Sequence, residues 1–466
     1  MKRYYKNILM SGLVAATMLT SCSDEFLDQS PASSTNATEA LVNDYDVLTA
    51  LRGAYDGMSV VGLYGRNLPI LGELLADNSF VAASNSGYFT SFPRYTFTRA
   101  DGDISNAWTE AYDVINRTNA IINSDPVVTN QADIDQYKGE AYAIRALMYF
   151  ELVRHFAVPY TENPSAPGVP IVLEFDYNAQ PSRNTVAEVY AQIKSDLDAA
   201  YELINQDVPP TRISKYAARA LASEVNLYTQ DYNLALQYAE EVINESGHEL
   251  LEYEDVVTYW NDPSAGSGYS ETLFEIAATD TDHNGVNELG YFYHQGGYGQ
   301  NLAAGNLYAL YSEDDVRADL IIVGRRGADN PAYIVNKYPN IAGDRDDKAI
   351  IRMSEVYLIA AEAAARLNQE DLARTYLNAL VSERDPDLEY TSSGQQLIDN
   401  IILERRKELA FEGDRFHTLN RLMLDITDRP ANPTTVEYGD YRRVLPIPQS
   451  EIDANDNIAQ NEGWGG

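Results

Sequence analysis

The sequence predicts a mainly α-helical fold, a scaffold of antiparallel helix hairpins that carries two long irregular loop insertions. Three observations predict it. Apolar residues recur at helical spacing over long stretches, and the stretches come in pairs joined by short polar turns. Two segments, 60–103 and 247–347, break that rhythm with Gly, Ser, Asn and aromatic residues, and loops of such length in a helical scaffold are functional or disordered.

A leader is expected over the first residues. Lys2, Arg3 and Lys6 precede an apolar stretch from Ile8 to Leu19, a layout that suits a signal peptide over 1–21 and is too short to span a bilayer. Leu19-Thr20-Ser21-Cys22 then resembles the bacterial lipobox, which makes Cys22, the only cysteine, the expected site of lipidation. With one cysteine no intramolecular disulfide can form. Asp24 and Glu25 follow and resemble the signal that sends such lipoproteins to the outer face of the outer membrane.

Helices are expected next over 39–58, 105–123, 132–156 and 185–204, the last opened by Thr185 with Glu188 three residues on, a capping box. The clearest hairpin runs over 214–229 and 231–245, with Ala217, Ala220, Leu221 and Val225 facing Leu234, Ala235, Ala239 and Val242. This pairing resembles a tetratricopeptide unit. A second pair spans 350–367 and 371–381, and a further helix is expected over 394–411. The 466 residues suffice for one large body or a few closely packed ones, divided as a leader (1–21), an N-terminal helical region (22–246) and a C-terminal region (247–466).

Charge narrows the partners. Thirty-four basic against seventy acidic residues give −36, and loss of the leader's three basic residues takes this to −39. Such a field repels nucleic acid and anionic lipid. It tolerates neutral ligands, and 34 tyrosines against 12 phenylalanines favour rings with a polar tip, suited to half-wet recognition surfaces.

Several motifs, in order along the chain, then resemble one family. Arg145 to Phe156 looks like its helix running into a loop, here Val158-Pro159. Arg352 to Ala363 matches its arginine, glutamate and Ala-Glu-Ala pattern, Glu404 to Phe416 is similar to its most distinctive motif, and Leu445 to Ile452 with Gln460-Asn461 resembles its closing signature. On these residues the chain resembles the SusD/RagB family of nutrient-capturing outer-membrane lipoproteins. The resemblance implies a SusD-like α/α superhelix, lipid anchoring at the cell surface, no enzymatic activity, and a SusC-like TonB-dependent transporter as partner. It also implies an oligosaccharide ligand, with peptide as the alternative used by other members. Three positions depart from the family pattern: Asp414 stands in place of His or an aromatic, Thr418 in place of Asp, and Asp456 in place of Pro.

Glu404, Glu408 and Glu412 share a helix face beside Arg405 and Arg406, and with Arg352, Glu355 and Arg415 they read as structural ion pairs. A surface hydrolase would need only two carboxylates, but among seventy acids such pairs carry no information. The five histidines show no pair on one helical turn. No cofactor is expected. For a metal, Asp280, Asp282 and Asn284 stand at the first, third and fifth positions of a calcium-loop pattern whose twelfth position holds Tyr291, so a structural calcium is set against an ordinary polar turn. For the ligand, flat aromatics with amide and carboxylate groups are wanted. The candidates are Asp77, Asn78, Tyr88 and Phe89 from the first insertion, and Trp260, Tyr291, Tyr293 and Tyr298 from the second. Two or three of these rings are expected to be exposed on one face.

Overall fold

The computed structural model describes residues 41–176, 178–262 and 270–465. Cys22, Asp24, Glu25 and the leader lie outside the described residues. Among those described, no helix is long and apolar enough to cross a membrane.

Among the described residues the first elements are α1 (Asp44–Ser59) and the short α2 (Asn67–Leu74), followed by β1 (Ser79–Val81). Four long helices come next: α3 (Gly102–Ile122), α4 (Gln131–Phe156), α5 (Val186–Leu203) and α6 (Lys215–Tyr228), with α7 (Tyr232–Glu245) closing the hairpin. Strands β2 (Thr272–Ile276), β3 (Asn301–Ala303), β4 (Ile321–Arg326), β5 (Asp329–Val335) and β6 (Lys348–Arg352) occupy the second insertion and its exit. The scaffold then resumes with α8 (Met353–Arg366), α9 (Glu370–Ser382), α10 (Gly394–Glu408) and α11 (Asp414–Arg421).

Helix starts are set by side-chain caps. Asn43, Asp101, Asn130, Ser214 and Asp231 each accept backbone N–H groups of the first turn, and Thr185 with Glu188 forms the expected capping box. Each cap is worth about 1 kcal/mol. Consecutive helices pack side by side: α4 on α3 and α5, α6 on α7, α7 on α8, and α8 on α9. This stacking of hairpins is the mainly α, tetratricopeptide-like superhelix that the spacing predicts. Small residues permit the close crossings, since a Cβ at Gly139 of α4 would lie 2.8 Å from Ile204 Cγ1. One buried apolar cluster extends from Val47 to Ile458 and so draws on both halves of the chain.

The two insertions are more ordered than their composition suggests. Together they build an antiparallel sheet of order β1-β3-β5-β4, with Ser79 opposite Ala303 and Leu302 opposite Ile334. A second, two-stranded sheet pairs β2 with β6, Ile276 opposite Lys348. The helix expected from residue 350 therefore starts at Met353, because Ile350 to Arg352 belong to β6. The helix expected to reach 411 ends at Glu408, where the chain turns through Phe411 (φ 72°) and Gly413 (φ 94°). That turn touches α2: a Cβ on Gly72 would meet the Gly413 carbonyl oxygen at 2.0 Å, so only glycine fits.

The ion pairs expected along the Glu/Arg helix are present. Arg405 bonds Glu355 (2.5 Å) and Asp414 (2.7 Å), and Arg415 grips Asp77. Asp414 sits one helical turn before Thr418, whose hydroxyl donates to its carboxylate at 3.0 Å and accepts from Arg405 Nε at 3.1 Å.

Candidate functional site

The sheet brings the two insertions together at one surface. From the first, residues Ala83 to Tyr88 turn outward after β1, with Gly87 at φ 91°. From the second, the turn Gly296-Gly297-Tyr298-Gly299 arrives from below; a Cβ at Gly297 would lie 2.6 Å from the Tyr291 carbonyl oxygen, and Gly299 has φ 54°. Glycine is required at both positions, for close approach and for the left-handed backbone.

Gln300 clamps these turns together. It is fully buried; its Oε1 accepts from the Ser86 N–H (3.0 Å) and hydroxyl (2.5 Å), and its Nε2 donates to the Tyr88 carbonyl (2.8 Å). Arg326 does the same from β4, donating to the Tyr298 carbonyl (2.6 Å), to Gln295 Oε1 (2.7 Å) and to the Ser84 carbonyl (3.3 Å). Asp329 accepts from the Ala83 N–H at 3.1 Å.

On this frame stands an aromatic platform. Tyr88 is 42% exposed. Its ring lies 5.2 Å from that of Tyr298, which in turn lies 6.1 Å from Tyr291, and both of these are half-buried. Beneath them Phe292 and Phe89 are buried edge to face at 5.2 Å, and the Arg66 guanidinium lies 5.0 Å over Phe89, held by Asp103 at 2.7 Å. The Tyr88 phenol beside it pushes the Tyr298 phenol above its ordinary pKa. Next to the platform runs an open groove of about 490 Å³, lined by Val81, Asn85, Thr90, Arg94, Thr96 and Pro433. Asn85 and Thr90 belong to the groove while Tyr88 between them belongs to the platform, so an extended ligand could follow both.

Of the residues singled out in the sequence, Tyr88, Tyr291 and Tyr298 come together here. The others do not face solvent. Asp77 is buried and held by Arg415 at 2.8 and 3.0 Å, and although burial works against it, the Arg415 and Arg406 guanidiniums keep its carboxyl below the usual range. Asn78 is buried with its oxygen on Arg406 Nε at 2.8 Å. Phe89 is the platform's foundation. Trp260 packs against Tyr259 with Lys337 Nζ 4.1 Å from its ring, and Tyr293 stacks on Tyr338 in the interior. A direct ligand role for these five is corrected by burial: they hold the loops in place. Gln300, Gln295 and Arg326 were not singled out, and no local pattern marks a lone glutamine or arginine as a clamp.

The calcium-loop segment forms a tight polar turn. Asn284 donates its amide to the Ser59 carbonyl (2.7 Å), its N–H to Glu288 (2.7 Å), and Glu288 pairs with Lys348. Asp280 and Asp282 are exposed, and Gly285 takes φ 63°. Turn geometry accounts for the glycine, and Asn284 is already spent on the end of α1.

Chemically, the platform offers stacking faces, phenol hydroxyls and side-chain amides, a set suited to a neutral polyhydroxylated ligand. A family model described as starch-binding associating with outer membrane matches residues 25–227, and one described as the SusD family matches residues 325–464. A SusD-like protein of Formosa agariphila is 27% identical, covering 98% of this chain and 99% of its own. A solved SusD superfamily protein of Bacteroides thetaiotaomicron is 31% identical with a TM-score of 0.83, covering 90% of this chain and 100% of its own. Another, from Bacteroides vulgatus, is 28% identical with a TM-score of 0.84, covering 91% and 100%. The motifs, the hairpin scaffold and these matches from residue 25 to 464 agree, and the chain belongs to the SusD/RagB family.

Proposed function

We propose that this protein is a non-enzymatic glycan receptor, anchored through Cys22 to the outer face of the outer membrane, that captures an oligosaccharide and hands it to a SusC-like TonB-dependent transporter. The observation that carries the reading is the platform of Tyr88, Tyr291 and Tyr298, built from two insertions and locked by Gln300 and Arg326. A rigid aromatic surface binds with little ordering cost. The starch-binding description of the matched N-terminal family model supports a sugar as ligand.

The test is isothermal titration of the purified protein against a panel of neutral oligosaccharides and a peptide library, with sugar release monitored in parallel. Saturable binding of one glycan class without cleavage is expected. Binding of peptides and of no glycan would replace the ligand, and cleavage of a bound glycan would overturn the non-enzymatic reading.

A further inference from the structure

Helix α4 carries Glu151 and His155 one turn apart on the same face, and α11 brings His417 against them. All three are buried, at 5%, 1% and 4% exposure. One nitrogen of each imidazole and one oxygen of the carboxylate lie within 4.8 Å of one another, and the two rings meet edge to face with centroids 4.4 Å apart.

Hydrogen bonding identifies the free atoms. His155 Nδ1 lies 2.8 Å from the Glu151 carbonyl oxygen; a carbonyl only accepts, so Nδ1 carries the proton and Nε2 the lone pair. That Nε2 is buried without a partner, and so is His417 Nδ1. Glu151 Oε1 accepts from the Tyr64 hydroxyl (2.7 Å) and from Arg154 (2.5 Å), while Oε2 lies 3.6 Å from His155 Nδ1, so the carboxylate has to swing toward the Nε2 side of the ring to share an ion with it. Unpartnered buried nitrogens are costly. An imidazole that donates one N–H to a backbone carbonyl and points its other nitrogen into a buried cluster has the arrangement of a metal-bound histidine. Burial also lowers the pKa of both rings, leaving them neutral, the form that ligates.

The surroundings can accept a cation. A cavity of about 80 Å³ lies alongside, reached by Glu151, Glu224, Glu355, Asp414 and His417, with room for water to complete a coordination shell. Arg154 is shared between Glu151 and Glu224, and Arg405 between Glu355 and Asp414, so each guanidinium here faces two carboxyl groups.

We propose that Glu151, His155 and His417 hold one divalent transition-metal ion of the zinc class, which fastens α4 to α11. Two imidazoles and one carboxylate form a borderline donor set, unlike the all-oxygen sets of calcium and magnesium. Metal bonds of about 2.0–2.1 Å require the donors to draw together by side-chain rotation, and the adjoining cavity leaves space for it. The ion is structural and stands apart from the aromatic platform.

The test strips the purified protein with a chelator, incubates it with Co²⁺ or Zn²⁺, removes free metal by gel filtration, and measures metal per chain, the Co²⁺ visible spectrum and Tm. About one ion per chain, a Co²⁺ band of a low-coordinate nitrogen/oxygen site and a Zn²⁺-dependent rise in Tm are expected. His417→Phe, which keeps the ring volume, should abolish uptake, and Glu151→Gln should weaken it by ~10-fold or more. The wild-type spectrum needs no variant to fold. Absence of retained metal in the wild-type protein, or uptake and spectrum unchanged in His417→Phe, would overturn the proposal and leave the two rings as packing.

Discussion

Arg352 and Glu408 meet in the interior, Nη1 to Oε1 at 3.1 Å, joining the end of β6 to the end of α10. Neither is alone. Arg352 also holds Glu271 (2.5 Å) and Glu412 (2.7 Å), while Glu408 accepts from Arg384 and Arg317, both at 3.1 Å. Three guanidiniums thus surround one carboxylate between the scaffold and the second insertion. Removing one partner strands a buried charge, so Arg352→Met should cost about 3–5 kcal/mol in urea unfolding. Loss below 1 kcal/mol would show that the network relaxes around the gap.

Acid should act in part through Glu362. Burial alone would raise its pKa, but the Arg421 fork, at 2.8 and 2.5 Å, brings it from 4.5 down to about 2. A folded pKa below the unfolded one gives stability that is present above about 4.5 and is lost as pH falls toward 2. The shift corresponds to roughly 3 kcal/mol. Glu362→Gln should lower stability at pH 7 and flatten the acid limb of a Tm profile; an unchanged limb would place the acid sensitivity elsewhere.

Glu73 should act in the opposite sense. Burial raises its pKa to about 8, against the Gly413 N–H that donates to Oε1 at 3.0 Å. Its folded form prefers the proton, so its contribution is complete below the unfolded value of 4.5 and is lost as pH rises through about 8. Glu73→Gln keeps the acceptor without the charge. Its Tm should exceed that of the wild type at pH 9 and match it more closely at pH 5; a lower Tm at pH 9 would contradict this.

The helices α3, α5, α7 and α9 were legible from apolar spacing and caps such as Thr185, because each exposes one face and buries the other, whereas α4 and α6, buried nearly all round, were legible from their length and their caps at Asn130 and Ser214. α2 was not legible, since all of Asn67–Leu74 is buried and no polar face marks it. Nor was the four-stranded sheet: β1 and β3 are three residues each, and their partners lie far along the chain. Composition pointed to the insertions as the binding region, but ring exposure depends on packing. Trp260 and Tyr293 look like Tyr88 in sequence and lie in the interior. The Glu151 and His155 spacing is visible on α4, whereas the approach of His417 is set by the turn through Gly413.

The most direct test of the glycan-receptor reading is titration calorimetry of the best-bound oligosaccharide against Tyr88→Ala and Tyr298→Ala, with Tyr45→Ala, at an exposed ring outside the platform, as control. Loss of one stacking ring is worth about 1–2 kcal/mol, so each platform variant should bind roughly 5–30-fold more weakly while the control binds as the wild type does. Equal affinity for that glycan in Tyr88→Ala, Tyr298→Ala and the wild type would contradict the platform as its binding surface.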